Sequence, residues 1–437
     1  MPYDFSGKRV AVVGLARSGK AAALVLATRG ANVTIYESKA TVDMVADLKW
    51  ASEHGIRVVG SADSVQASDL AIVSPGVRQD SPIMHSILAQ EIKLWGEIEL
   101  AYQIAKAPIL AVTGTNGKTT TVLMLAEMTR SGGKRTFAAG NIAAGSLAQP
   151  LTVAADLAGP DDVIVAEISS FQLETIKTFR PKAASILNIT PDHMDRQNWG
   201  EYVQSKWRIF ENQGNDDTAV LGSSVPFIGN KPHLPNDVRY FDTMARPDWI
   251  GDLLLPGEHN RLNAMAAYAM ASSIGIQEDA IRKAALSFKG VVHRLEFVDR
   301  INGITYINNS MCTNNAAFAS SLSALAGKKI VLSGGVFKGG DMSQIADAVA
   351  KSNVKVLAAF GRSGPQIAEV VRSRTDVRTV VFETMDEAVS FASTDAASGE
   401  IVVLNPGCAS FDQFKDFEDR GEKFKLIVSS LRKAAGA

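Results

Sequence analysis

Cysteine is nearly absent from this sequence: among 437 residues there are two, Cys312 and Cys408, in no metal-ligand spacing. That excludes a disulfide-stapled scaffold. One bridge is arithmetically possible, but two thiols in a large cytoplasmic protein is the expectation. Net charge is missing as well. The 45 Lys and Arg residues oppose 46 Asp and Glu, leaving −1, so no electrostatic footprint is expected for nucleic acid or anionic lipid. No apolar run approaches membrane-spanning length, and residues 262–276 are small-residue rich and too short. The opening Met1-Pro2-Tyr3-Asp4-Phe5 lacks a basic region leading into an apolar one, and the expected location is the cytoplasm. Internal repeats, low-complexity tracts and coiled-coil heptads are also lacking.

What is present is an alternation of short apolar runs with helical patterns. Residues 9–13, 33–36, 58–59 and 70–74 read as strands, with a helix over 21–29 and another after the second strand. Such βαβ repetition implies a parallel sheet whose ligand lies beyond the strand C-termini. A second unit opens with a strand at 109–112 and a helix over 118–130, followed by strands at 163–167 and 184–189, short strands and loops over 214–256, and a helix over 260–274. A third has strand patterns at 305–308, 329–333, 356–360, 379–382 and 401–405. The expected fold class is α/β, with three consecutive α/β domains over 1–96, 97–290 and 291–437.

The most informative segment is Gly114-Thr115-Asn116-Gly117-Lys118-Thr119-Thr120, which follows a strand and opens a helix. Glycines let backbone N–H groups crowd around phosphate oxygens, and the helix N-terminus adds partial positive charge. Lys118 can neutralise β/γ-phosphate charge, and the Thr119 hydroxyl can coordinate Mg²⁺. The full phosphate-loop pattern would need a further glycine where Val112 stands. The expected cofactors are ATP and Mg²⁺. Glu167 closes the strand at 163–167 and pairs sensibly with Thr119, because Mg²⁺ takes hard oxygen ligands. His193 follows another strand end, flanked by Asp192 and Asp195. Near the N-terminus, Val13-Gly14-Leu15-Ala16-Arg17-Ser18-Gly19 with Glu37 imitates a dinucleotide fingerprint, but Ala16 replaces the glycine that close pyrophosphate approach needs.

The ordered segments G-T-N-G-K-T-T, E-I-S-S-F-Q-L, L-N-I-T-P-D-H-M-D-R, L-P-G-E-H-N-R-L-N-A and H-R-L-E resemble the Mur ligases of peptidoglycan precursor synthesis. The run from Pro406 to Gly421 resembles the glutamate-adding branch of that family, and the resemblance covers essentially the whole chain. It implies a Rossmann-like UDP-sugar-binding domain, a central phosphate-loop ATP-binding domain and a Rossmann-like amino-acid-binding domain. The implied reaction is ATP-dependent addition of D-glutamate to UDP-N-acetylmuramoyl-L-alanine through an acyl phosphate. An L-glutamate-adding or other Mur-like amide ligase is the alternative, ahead of a non-catalytic nucleotide-sugar-binding paralogue. A monomer acting on small molecules is expected.

The same resemblance assigns roles. Lys118, His193 and Lys206 would be catalytic, with Thr119, Glu167, His193 and a CO₂-derived carbamate on Lys206 serving metal; an ammonium cannot ligate a cation, whereas a carbamate presents oxygens. Asn263, Arg294 and Asn309 would join the phosphate turn around ATP. Leu15, Ala16, Glu37, Ser38, Ser74, Gly76 and Asn141 would receive the UDP-sugar. Thr313, Lys338, Ser410 and Phe417 would hold glutamate. One segment departs from the family pattern. Where the family has Asp-Ser-Lys ahead of Thr-Asn, this chain reads Asn309-Ser310-Met311-Cys312-Thr313-Asn314. Asn309 can still bond a hydroxyl, without charge assistance. Met311 cannot replace a cation, so weaker ATP affinity or a changed acceptor is in play.

Overall fold

A computed structural model of the chain describes residues 3–40, 42, 44–142, 149–192, 198–229, 232–255, 257–337, 339 and 341–434. Three sheets follow one another along the chain. The first has five parallel strands: β1 (Arg9–Val13), β2 (Asn32–Tyr36), β3 (Arg57–Val59), β4 (Leu70–Val73) and β5 (Leu94–Gly96), in the order β3-β2-β1-β4-β5. Helices α1 (Arg17–Thr28), α2 (Val45–Glu53) and α3 (Pro82–Ala89) connect them, and α4 (Glu97–Ile104) leads out. Apolar residues fill both faces, as parallel sheets require. Along β1, Val10 and Val12 enter one hydrophobic cluster, and Ala11 and Val13 the opposite one.

The second sheet holds β6 (Ile109–Thr113), β7 (Thr136–Gly140), β8 (Val163–Glu167), β9 (Ala183–Ile186), β10 (Thr218–Leu221) and β11 (Asp237–Tyr240) in the parallel order β11-β10-β9-β6-β8-β7. Its helices are α5 (Lys118–Ser131), α6 (Leu151–Leu157), α7 (Ser170–Leu173), α8 (Trp199–Trp207), α9 (Glu258–Ser273) and α10 (Glu278–Ser287). Capping boxes start two of them: Ser169 with Gln172 for α7, and Asn198 with Glu201 for α8.

The third sheet comprises β12 (Glu296–Ile301), β13 (Ile304–Asn308), β14 (Lys329–Gly334), β15 (Val354–Phe360), β16 (Arg378–Phe382) and β17 (Ile401–Gly407), ordered β12-β13-β17-β14-β15-β16. Only the β12–β13 hairpin is antiparallel among its pairings. Helices α11 (Asn315–Ala324), α12 (Ser343–Lys351), α13 (Gly364–Arg374), α14 (Met385–Asp395) and α15 (Phe417–Ala434) cover it. Ile330 and Leu332 pack to one face and Val331 to the other. Among the described residues no helix is long and apolar enough to cross a membrane.

These elements form two compact units, one of residues 1–250 and 262–285, the other of 251–261 and 286–437. The first two sheets share a unit because one cluster runs from Val10 and Val12 through Ile98 and Leu100 of α4 to Ile109, Ala111, Ile164 and Ala166. Each valine, leucine or isoleucine so buried contributes roughly 1.5–3 kcal/mol. Several elements differ from the sequence expectation. The short β5 and the antiparallel β12 were not anticipated, and the strand expected over 184–189 ends at Ile186. The reason for the last is local: Asn188 leaves the sheet, its side chain bonding both the N–H and the carbonyl of Asn116.

At the seam between these two sheets lies Glu97, buried at the start of α4. Its Oε1 accepts from the Thr152 N–H at 2.9 Å and the Thr152 hydroxyl at 3.0 Å, and its Oε2 from Gln172 Nε2 at 3.4 Å. Burial raises its pKa above the usual 4.5, against the opposing effect of these bonds. A carboxyl raised on folding contributes stability while the unfolded group is still protonated, and loses it as pH climbs through the folded pKa. Wild type should therefore lose more melting temperature than Glu97→Gln between about pH 5 and about pH 8. Parallel thermal melts read this directly; identical pH slopes would contradict it.

Candidate active site

The chemistry collects at the C-terminal ends of β6, β8 and β9. After β6 the chain turns through Gly114 and Gly117, both in the left-handed half of backbone space (φ +152° and +85°). Space is the second constraint. A Cβ at Gly117 would sit 2.3 Å from Asn263 Oδ1, so the Asn263 side chain, from α9, lies hard against the turn. Helix α5 then begins at Lys118 with no side-chain cap, leaving the first N–H groups to an anion. The turn is braced from β9: the Thr115 N–H donates to the Asn188 carbonyl at 2.9 Å, and the Thr190 N–H donates to Thr115 Oγ1 at 3.0 Å.

Two lysines converge on this turn. Lys118 Nζ donates to the carbonyls of Gly114 at 3.0 Å and Thr115 at 2.8 Å, and Lys206 Nζ, from α8, also reaches the Gly114 carbonyl at 3.0 Å. Lys206 is 2% exposed, with its Nζ 4.6 Å from the centre of the Tyr202 ring. Burial first, and the Lys118 charge second, pull its pKa down to about 7. Tyr202 itself shares a 3.0 Å hydrogen bond with Thr115 Oγ1. Neither Tyr202 nor Asn188 was singled out from the sequence, although Tyr202 stands one helical turn before Lys206 and faces the same way.

The neighbouring residue of α5, Thr119, donates its hydroxyl to Glu167 Oε2 at 2.7 Å, and both are buried. The Glu167 carbonyl accepts from the N–H of Asn141, whose side chain is exposed. No cluster of three His, Cys, Asp or Glu side chains suited to a metal occurs among the described residues. What the structure offers is one carboxylate and one hydroxyl beside a phosphate turn, the sparse oxygen donor set that Mg²⁺ accepts when phosphate and water complete its shell. His193 lies outside the described residues.

The turn after β1 repeats this architecture in the first sheet. Gly14 has φ +99°, α1 starts at Arg17 with Ala16 as a non-polar cap, and the buried Ser74 hydroxyl has no hydrogen-bond partner. That orphan lies 2.9 Å from where a Gly14 Cβ would be. Glu37 is already engaged: Oε2 accepts from the Leu15 N–H at 2.8 Å and Oε1 from the N–H and hydroxyl of Ser38. Burial would raise its pKa, yet these bonds outweigh burial and hold it below the carboxylate norm. Gly76 is exposed beyond β4. A cavity of about 510 Å³, lined by Pro75, Arg78, Gln79, Phe171, Gln204 and Arg208, opens between that loop and α8.

In the other unit, Arg294 projects from a strained turn whose neighbours His293 and Leu295 have φ +61° and +46°. Asn309 is buried with both ends of its amide taken: Oδ1 accepts from the Leu295 N–H at 3.0 Å, and Nδ2 donates to Asn405 Oδ1 at 2.7 Å. Thr313 is half-buried, Ser410 is buried, and the Phe417 carbonyl accepts from the Ser310 hydroxyl at 2.7 Å. Lys338 lies outside the described residues.

Serial sheets that are parallel but for one hairpin, with a glycine turn feeding an uncapped helix beside a carboxylate–hydroxyl pair, define a nucleotide-phosphate-binding α/β enzyme. Its family follows from comparison with known proteins. Residues 8–96 match the Mur ligase MurD-like N-terminal domain, 112–251 the Mur ligase middle domain, and 293–408 the Mur ligase glutamate ligase domain. The UDP-N-acetylmuramoylalanine–D-glutamate ligase of Pelotomaculum thermopropionicum is 39% identical, over 99% of this chain and 100% of its own. That of Caldanaerobacter subterraneus is 38% identical over 98% and 100%. The chain belongs to the Mur ligase family, whose members are ATP-dependent amide ligases. Among solved structures, a UDP-N-acetylmuramoyl-L-alanyl-D-glutamate–2,6-diaminopimelate ligase shares the fold with a TM-score of 0.54 at 18% identity, over 91% of this chain and 92% of that one.

Proposed function

We propose that this enzyme joins D-glutamate to UDP-N-acetylmuramoyl-L-alanine with conversion of ATP to ADP and phosphate, acting as a cytoplasmic monomer. The observation that carries the ligase chemistry is the convergence of Lys118 and Lys206 on the Gly114 carbonyl, beside the Thr119–Glu167 pair. The near full-length similarity to D-glutamate ligases supports the acceptor.

In this reading the turn from Gly114 to Thr120 cradles the ATP phosphates, with Asn263 and Arg294 as further nucleotide contacts. Since Asn309 spends its amide on Leu295 and Asn405, its part is to shape the ribose-facing loop. Leu15, Ala16, Glu37, Ser38, Ser74, Gly76 and Asn141 receive the UDP-sugar, whose peptide end occupies the cavity beside α8. Domains divide near residues 97 and 290. Thr119 and Glu167 would hold Mg²⁺, joined by His193 and carbamylated Lys206, and the metal would screen phosphate charge. Lys118 neutralises the charge that spreads over the transferring phosphoryl group as the alanine carboxylate takes it from ATP. The product is an acyl phosphate. The glutamate amine, held through Thr313, Lys338, Ser410 and Phe417, attacks its carbonyl carbon, loses a proton and expels phosphate. Water must be kept out meanwhile, since it would hydrolyse the mixed anhydride.

The test is purified protein with ATP, UDP-N-acetylmuramoyl-L-alanine and each glutamate enantiomer, read by phosphate release and product mass. D-glutamate alone should yield product; turnover confined to L-glutamate, or absent with both, would overturn the reading.

A further inference from the structure

Arg420, on the first turn of α15, is fully enclosed and has no role in the chemistry above. Its Nε donates to Ser310 Oγ at 2.9 Å and its Nη2 to the Ser310 carbonyl at 2.8 Å. Its Nη1 reaches the carbonyls of Cys408 at 3.1 Å and Gly334 at 3.4 Å. Every acceptor is neutral, and among the described residues no carboxylate lies within ion-pair distance of the guanidinium; Asp412 favours the charge only from farther away. Buried arginines are ordinarily paired with an acid, because an uncompensated charge is poorly solvated in a protein interior. Burial lowers this one to about pKa 10, which leaves it charged at neutral pH.

The acceptors share a pattern. Ser310 follows β13, Gly334 ends β14 and Cys408 follows β17, and these three strands are neighbours in the order β13-β17-β14. Each leads within four residues to a proposed glutamate ligand: Ser310 to Thr313, Gly334 to Lys338 and Cys408 to Ser410. The fourth, Phe417, lies one helical turn before Arg420, and its carbonyl is held by the same Ser310 hydroxyl that Arg420 grips. One side chain thus ties together the roots of all four segments.

Resting on the glutamate-ligase reading, we propose that Arg420 is the positioning residue of the acceptor pocket, and that its buried charge, paired with no acid at contact distance, favours an acceptor with a second carboxylate. It cannot touch that acceptor, being enclosed. It acts by fixing the loops and by leaving a positive potential at the C-terminal edge of the sheet, which an incoming dicarboxylate offsets.

The test is steady-state kinetics of Arg420→Lys and Arg420→Met, with melting temperatures recorded, and of Ser310→Ala, which keeps the cation but cuts its link to Phe417. Loss of charge-assisted hydrogen bonds should raise KM for D-glutamate about tenfold to a hundredfold in Arg420→Met. KM for ATP should stay within about twofold, and the preference for D-glutamate over D-glutamine should fall in step with the charge lost. Arg420→Lys should keep more of that preference than Arg420→Met. Ser310→Ala should raise KM for glutamate while preserving the preference, which keeps the proposal testable if the methionine variant does not fold. Equal rises in both KM values, or an unchanged KM for glutamate in the folded variants, would overturn it. Failure of the wild-type chain to make any glutamyl product would instead overturn the function on which it rests.

Discussion

Lys118→Ala is expected to reduce product formation by about a thousandfold, the scale on which a single charge aimed at a transferring phosphoryl group acts. In the structure Lys118 Nζ is held over the turn by the Gly114 and Thr115 carbonyls. It stands at the N-terminus of α5, where a nucleotide's terminal phosphates would meet it, and charge accumulating on phosphoryl oxygens needs a counter-charge placed before the reaction begins. Lys118→Arg should not rescue, because the guanidinium is a broader, planar fork in a turn already closed by Asn263 against Gly117. The fold should persist: the side chain is only half-buried, so melting temperature should move by no more than a few degrees. Phosphate release with all three substrates saturating measures the effect, and a loss smaller than about tenfold would remove Lys118 from the transfer step.

Removal of CO₂ should be nearly as damaging. Lys206 is buried, bonded to a carbonyl and next to a second lysine, and the attraction of Asp192 is outweighed by burial and by that second charge. As an ammonium it would repel the metal proposed for this site. As a carbamate it changes sign: the neutral amine attacks CO₂, a C–N bond forms, and a proton leaves to solvent. A metal-holding carboxylate-like group is worth several kcal/mol of charge stabilisation, so protein dialysed into CO₂-free buffer should lose activity by about a hundredfold. Bicarbonate should restore it, and carbon-13-labelled bicarbonate should give a protein-bound carbonyl resonance that is absent in Lys206→Arg. The depressed pKa sets the direction with pH. Only the neutral amine reacts, so reactivation measured at a fixed concentration of dissolved CO₂ should quicken as pH rises through about 7 and level off above it. Full activity in CO₂-free buffer would end the carbamate assignment.

Much of this was readable in the linear chain, for identifiable reasons. The strand–glycine–helix order around Gly114 to Thr120 is local, and so is the placing of Glu167 at a strand end; each depends on φ freedom and on apolar runs that neighbours in sequence reveal. Elements set by tertiary partners were harder. The short β5 has too few residues to show a period and is held by pairing with β4. Strand β12 exists as the antiparallel partner of β13 and is otherwise a mixed polar run, Glu296–Ile301. Asn309 shows the limit most clearly. As a letter it is a weakened ribose contact, whereas in the fold its amide is spent on Leu295 and Asn405, a residue 96 positions away.

The sequence by itself determined the α/β class, the series of sheets, the phosphate turn and the kinship of the chain, because periodicity, glycine placement and ordered motifs are properties of neighbouring residues. Only the tertiary structure decided which side chains act together. Lys206 meets the Gly114 carbonyl across 92 residues, and Arg420 meets Ser310 across 110. Sheet order decides such meetings. Parallel strands bring their C-terminal ends to one edge whatever their separation along the chain, and burial there lets Lys206 give up its proton near neutral pH and leaves Arg420 a cation with no acid at contact distance.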